Sequence, residues 1–278
     1  MRALGIDVGI GKGLDIVLLD ERRVPFPVVS GAGLDEVARL VKELKPDAIG
    51  IDSPPAWAAD GRSRMTENEL ARLNIHAFRT PSEAHSSGRQ FGWMRAGMAV
   101  FACTAELGYP LFNGGTVRRR SLEVFPHATA VVLAGCLPPK GMTKRVWRER
   151  VLRLQRVRTD DLTTIDRLDA ALAALTALRA LEGHHTHLGD VREGVIVVPS
   201  RALAPTYRPG AVDEPGTQLF AWCACGDPAC ERMVKAGREF AAGHDAKRKS
   251  RLWRDVRAGD DAKRELARRG WEGPPEAR

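Results

Sequence analysis

The chain opens on a dense apolar run, Ala3-Leu4-Gly5-Ile6-Asp7-Val8-Gly9, in which small and branched residues lead up to one acid and are followed by Gly11 and Gly13. A run this short and this apolar predicts a buried strand, ending where the backbone is open to close approach. Leu14-Asp15-Ile16-Val17-Leu18-Leu19-Asp20 has the density of a second strand. The short glycine-rich turn between the two permits only an antiparallel hairpin, since a parallel pair needs a crossover. Val24 to Val29 reads as a third strand, placed at an edge by Pro25 and Pro27. Leu34, Val37, Leu40, Val41 and Leu44 then recur at helical spacing opposite Asp35, Glu36, Arg39, Lys42 and Glu43, up to a stop at Pro46. Asp47-Ala48-Ile49-Gly50-Ile51-Asp52-Ser53-Pro54-Pro55 is a further buried strand that ends in an acid. The order hairpin, third strand, helix, strand places both acid-ended strands in one mixed sheet, and as parallel neighbours they bring Asp7 and Asp52 to the same edge.

From Ala56 to about Gly92 the pattern turns polar and loses its period, apart from a short helix near Thr66 to Leu73. This excursion leaves directly from the second acid-ended strand and carries Arg62, Arg64, Arg72, Arg79 and Arg89, so it is expected to cover a substrate. Trp93 to Leu107 reads as a mostly apolar helix closed by Gly108 and Pro110. Leu122-Glu123-Val124-Phe125-Pro126 is a short strand with an acid in apolar company, although a lone glutamate on a short strand more often faces solvent. Lys140 and Lys144 follow on a glycine-containing loop and at the start of a helix over roughly Thr143 to Val157. Ala170 to Leu181 is apolar all round, the mark of a buried helix. Asp166 and Asp169 share one face of its first turn; an N-cap role accounts for Asp166 but not for Asp169 inside the helix. Val195 to Pro199 makes a final short strand, and proline and glycine rise from Ser200 to about Thr217. The expected organisation is a main α/β domain over 1–200, a linker over 201–217 and a small module over 218–278.

Composition narrows the class. With 44% hydrophobic and 28% charged residues in a chain of 278, this is a soluble globular protein of one large or two ordinary domains. No run of about eighteen apolar residues occurs and the N-terminus enters a strand at once, so neither a membrane partner nor a leader is expected and the location is cytoplasmic. Five cysteines are too few for a disulfide scaffold, and their odd number fits a reducing compartment. The net charge of +8 favours a polyanionic partner, DNA or RNA.

The candidate chemistry is carboxylate chemistry. Asp7, Asp52 and Asp169, with Asp166 beside them and Glu123 as an outer candidate, cannot stay charged side by side without a cation, and hard oxygen ligands suit Mg²⁺ or Mn²⁺. Such a site holds two ions about 4 Å apart for in-line phosphodiester hydrolysis. Arg62 and Arg64 of the excursion are candidates for gripping the nucleic-acid backbone. A second constellation, Cys223, Cys225 and Cys230 with His244 downstream, offers three thiolates and an imidazole, enough for a structural Zn²⁺. Buried cysteines in a helical appendix are the alternative. The tail from Arg238 to Arg269 interleaves basic residues with Trp253, a mixture that fits phosphate contact as well as a solvated helix. His184, His185 and His187 lie beyond the long apolar helix, where cations complement its dipole.

The order Gly5-Ile6-Asp7-Val8-Gly9, Ile49-Gly50-Ile51-Asp52-Ser53-Pro54-Pro55, Glu123-Val124-Phe125-Pro126-His127-Ala128, Asp166 with Leu168-Asp169-Ala170-Ala171, and Gly189-Asp190 before Glu193-Gly194 resembles the domain-of-unknown-function family numbered 429, described as predicted nucleases with an RNase H-like fold. More distantly, over roughly residues 1 to 200, it is similar in order to Holliday-junction resolvases, which commonly carry glutamate where Asp52 stands. The resemblance implies an RNase H-like mixed sheet, metal ligation by Asp7, Asp52, Asp166 and Asp169, and phosphate contact by Lys140 or Lys144. Two other readings share the fold. One is a nucleic-acid-binding protein without turnover; the other is a phosphotransferase of the actin and sugar-kinase type, which needs a second glycine-rich phosphate hairpin that is not found after residue 100.

Overall fold

The computed structural model describes residues 1–9 and 11–210. The hairpin forms as its glycine turn requires, with β1 (Arg2–Val8) antiparallel to β2 (Leu14–Asp20). β3 (Val28–Ala32) pairs antiparallel on the far side of β2 and is the edge strand. It starts after the two prolines and not at Val24, because proline has no N–H to give to the ladder. α1 (Leu34–Leu44) leads into β4 (Ala48–Asp52), which runs parallel to β1 with Ala3 opposite Ala48 and Asp7 opposite Asp52. β5 (Ser121–Val124) lies parallel beside β4, and β7 (Ile196–Val198) parallel beside β5. β6 (Thr186–Leu188) closes the far edge, antiparallel to β7. Among the described residues the strands form one seven-stranded sheet in the order β3-β2-β1-β4-β5-β7-β6. An antiparallel β3-β2-β1 meander continued by parallel β4 and β5 is the RNase H-like arrangement, as expected.

Helices cover both faces. On one, Val37, Leu40 and Val41 of α1 and Val100 and Phe101 of α3 (Gly92–Glu106) pack with Leu4, Ile6, Ile16, Leu18, Ile49 and Ile51. On the other lies α6 (Ile165–Leu181), with Trp147, Val151 and Leu152 of α5 (Lys144–Leu154) and Ala130 of α4 (Pro126–Ala134) in the same cluster. α4 opens with Pro126 in its first turn and ends at Gly135 in the left-handed conformation. Its apolar sequence lacks the polar stripe that reveals a helical period, so the chain pattern does not single it out.

The α6 face of β1 and β4 is made of very small residues. Side chains alternate along a strand, so Ala3, Gly5 and Asp7 share this face of β1, and Ala48, Gly50 and Asp52 share it on β4. A Cβ on Gly5 would lie 1.9 Å from the Ala170 carbonyl oxygen, and one on Gly50 would lie 2.4 Å from that of Ala173. The backbone of α6 therefore rests directly on the sheet, with alanines facing glycines. This close approach sets where the first turn of α6 ends up relative to the ends of β1 and β4.

The described end of the chain stays on the body: Tyr207 is buried, its N–H donates to Leu73 O, and Gly210 N–H donates to Leu137 O. The expected linker is thus packed as far as Gly210, while residues 211–217 and the module 218–278 lie outside the described residues. Among the described residues no helix is long and apolar enough to cross a membrane.

Gly5→Ala should cost about 3 kcal/mol or more, the upper end of overpacking penalties, because the obstructing atom is helix backbone. Gly92→Ala, at a helical backbone position with open space around its Cβ, should be neutral or stabilising by up to about 1 kcal/mol. Chemical denaturation of the two variants checks the pair; a Gly5→Ala protein as stable as the parent would refute the close packing of α6.

Candidate metal centre

Asp7 is the penultimate residue of β1 and Asp52 the last of β4, and their parallel register carries both carboxyls to one end of the sheet. Asp169 comes from the N-terminal part of α6, whose N-cap is Thr164, with its side chain accepting from Arg167 N–H. The capping role expected of Asp166 is therefore filled two residues earlier. A carboxylate oxygen from each of Asp7, Asp52 and Asp169 lies within 4.8 Å of the other two. Asp166 is outside this group; it is partly exposed, with Oδ2 3.9 Å from Lys12 Nζ.

Burial and mutual repulsion dominate the electrostatics. Asp7 is 8% exposed, and its carboxyl is pushed far above the ordinary carboxylate range by desolvation first and then by Asp52, Asp169 and Asp166. It shares a hydrogen bond with Asp52, whose own pKa burial raises against the attraction of Arg148. Asp169 is pushed up to about 8 by burial, again opposed by Arg148. Arg148 Nε lies 2.5 Å from Asp169 Oδ1 as a close ion pair. The pair lacks hydrogen-bond alignment, and both atoms are buried without an aligned partner. Three converging, largely buried carboxylates form an oxygen donor set that fits a hard divalent cation such as Mg²⁺ or Mn²⁺.

Two of the expected site residues take a different role. Glu123 on β5 is buried and does not face solvent. Both its oxygens are occupied by Arg64, which donates from Nη1 to Oε2 at 2.8 Å and from Nη2 to Oε1 at 2.5 Å. Arg64 is 1% exposed and also donates from Nε to Glu67 Oε1 at 3.1 Å and from Nη1 to Glu193 O at 3.3 Å. Glu67 Oε2 in turn accepts the backbone N–H groups of Arg64 and Thr80, each at 3.0 Å. Arg64 is thus a buried anchor and cannot grip a nucleic-acid backbone, and Glu123 is paired with it, outside the group of three converging carboxylates. The knot ties the start of α2 (Met65–Arg72), and with it the excursion, to β5. Arg64 and Glu67 have the three-residue spacing of a helix-start pair, but the partner 59 residues away leaves no local trace.

Arg62, Lys140 and Lys144 are exposed. Lys144 opens α5 one turn before Arg148, and its charge acts on Asp169. Arg148 and His127 are the residues that chain pattern does not single out. Burial, with the charges of Arg148 and Lys144, pushes the His127 pKa down to about 4, so it is neutral at pH 7. Cys223, Cys225, Cys230 and His244 lie outside the described residues.

Residues 5–193 match the model of a family described as "Protein of unknown function (DUF429)". No curated protein matches the chain. Among solved structures, Thermus thermophilus RuvC in complex with a Holliday junction substrate aligns over 66% of this chain and 96% of its own, with 18% identity and a TM-score of 0.37. A second structure of Thermus thermophilus RuvC aligns over 66% and 97%, with 16% identity and a TM-score of 0.36. The fold assignment rests on the strand order and register given above.

The raised carboxyls fix the sign of a pH dependence. Each binds its proton more tightly in the folded than in the unfolded chain, so stability falls as pH rises through the folded values. His127 acts in the opposite sense below its ordinary value of 6.5, which leaves the window between 6.5 and about 8 for Asp169. In EDTA, Tm should fall across that window; Mg²⁺ or Mn²⁺ should restore it, with an increment that grows with pH as the ion displaces protons. Asp7→Asn should raise Tm at pH 8 in EDTA and abolish the increment. Thermal scans check this, and an increment retained by Asp7→Asn would contradict it. Separately, Arg64→Met should cost about 3–5 kcal/mol by stranding two buried carboxyls, with part recovered in Arg64→Met/Glu123→Gln. A loss under about 1 kcal/mol in denaturant, the scale of a surface arginine, would count against the anchor.

Proposed function

Because the chain belongs to the DUF429 family, described as one of unknown function, its activity must be read from the site, and we propose that it is a divalent-metal-dependent nuclease. The observation that carries the reading is the convergence of Asp7, Asp52 and Asp169, an oxygen-only donor set. These three residues would hold Mg²⁺ or Mn²⁺. When bound, such an ion supplies charge neutralisation for a phosphodiester and acidity for the attacking water.

The chain's own residues do the rest. The two strands and α6 fix the carboxyls on rigid elements, so little reorganisation is needed when phosphate arrives. Arg148 balances part of the acidic charge and holds Asp169 in place. Lys144 and Lys140, both exposed, and Arg62 on the excursion offer positive charge to the backbone of DNA or RNA, in keeping with the net charge of +8. Asp166, at the rim, adds negative field and stays available as an auxiliary acid. A cytoplasmic enzyme with a separate, zinc-holding module over 218–278 is the organisation that goes with this reading. The phosphotransferase alternative gains no support, since all the named strands belong to one sheet and no second half exists among the described residues.

The test incubates the full chain with labelled single-stranded, duplex, hybrid and branched DNA and RNA in Mg²⁺, Mn²⁺ or EDTA. Cleavage should require the ion and should drop at least about 100-fold in Asp7→Asn and Asp169→Asn, the scale of losing one charge-stabilising group. Salt-sensitive binding without cleavage would leave a binding protein instead, and cleavage unchanged in Asp7→Asn would sink the carboxylate site.

A further inference from the structure

Beside the carboxylates lies a cavity of about 210 Å³ that the hydrolytic reading does not use. Asp52 lines it with Ser53 and Pro54, and the excursion contributes Ala77, Phe78 and Thr80, with Trp93 from α3. Arg64, Glu67 and Glu123 line it as well, so an apolar slot has a fixed, charged portion built from the knot that anchors the excursion. Its volume falls below the roughly 300–1,000 Å³ of pockets for larger organic ligands, and suits one flat ring system.

Phe78 and Trp93 of this lining belong to a chain of edge-to-face aromatic contacts. Phe78 is 57% exposed. It meets Phe91 at 6.2 Å and Trp93 at 6.0 Å, with ring planes at 75° and 84°, and Phe91 meets Trp57 at 6.4 Å and 86°. Arg95 lies over the Trp57 ring at 5.9 Å. In such edge-to-face pairs one ring's edge rests against the other's face, which fixes the orientation of the cluster, while Phe78 keeps more than half of its surface in solvent, where a flat ligand can stack on it. A nucleobase is the flat, polar-edged ring that accompanies a phosphodiester, and the shared Asp52 places the slot next to the carboxylates.

We propose that this cavity takes one unpaired nucleobase of the substrate, stacked against Phe78 with its polar edge turned toward the charged portion, so that the substrate is a single strand or a duplex with an unpaired nucleotide at the cleavage position. This inference rests on the nuclease reading and narrows it. A base inside a continuous duplex is covered on both faces and paired along its edge, so it cannot enter without being flipped out.

The experiment measures affinity by fluorescence anisotropy in the full-length Asp7→Asn chain, and cleavage in the otherwise unaltered chain, each with and without Phe78→Ala or Phe78→Trp. The probes are one oligonucleotide sequence as a single strand, as a duplex with one unpaired nucleotide, and as a continuous duplex. Phe78 is exposed, so its replacement leaves folding intact, which a thermal scan verifies. Phe78→Ala should weaken binding of the first two probes about five- to 150-fold, the range of a lost base–aromatic stack, and Phe78→Trp should preserve it. Continuous duplex should bind more weakly and change less than about twofold. Cleavage of all three probes alike, indifferent to Phe78, would overturn the pocket while leaving the nuclease standing. Failure to bind or cut any nucleic acid would remove the nuclease reading and the pocket with it.

Discussion

The structure depends on the contact between the backbone of α6 and the side-chain-free face of β1 and β4. Gly5 and Gly50 leave room for the Ala170 and Ala173 carbonyls where any Cβ would collide. The alternation that puts these glycines toward α6 puts Asp7 and Asp52 on the same face, two residues further along each strand. Asp169 immediately precedes the alanine that seats on Gly5, so the packing that buries the helix also delivers a third carboxyl to the same spot. Three acids are thereby forced together in a poorly hydrated place. Their raised pKa values and the unaligned Arg148–Asp169 pair are the electrostatic record of that constraint.

A second constraint holds the excursion. Removing the Arg64 guanidinium from water is costly and is offset by the forked contact to Glu123 and the bond to Glu67. That knot fixes the start of α2 against β5 and makes a rigid wall of a segment whose sequence reads as loop. The same wall carries Phe78 and closes the slot beside Asp52. Acid site and slot thus share Asp52, and Arg64 lines the slot as well.

Much of this was legible in the chain because it is written locally. Glycine and proline mark off the hairpin, and a clean apolar stripe gives α1. The acid ends of two buried strands predict the meeting of Asp7 and Asp52, and the lack of a capping role inside a buried helix points to Asp169. The rest depends on partners far apart in sequence. Glu123 reads as an outer member of the acid site or as a surface acid until Arg64 is found on it, and Arg64 looks like one of several loop arginines until it is seen to be buried. Arg148 sits in a helix with other basic residues, and nothing in its spacing marks it as the one facing Asp169. β6 spans three residues, too few for a period to show, and the prolines before β3 delay the strand by removing donors.

Anomalous diffraction from a crystal soaked in Mn²⁺ would locate a divalent cation held jointly by Asp7, Asp52 and Asp169. An anomalous peak is expected among these three carboxylates, lost in crystals of Asp7→Asn. Mn²⁺ bound elsewhere on the molecule, with no peak between the three, would contradict that joint site.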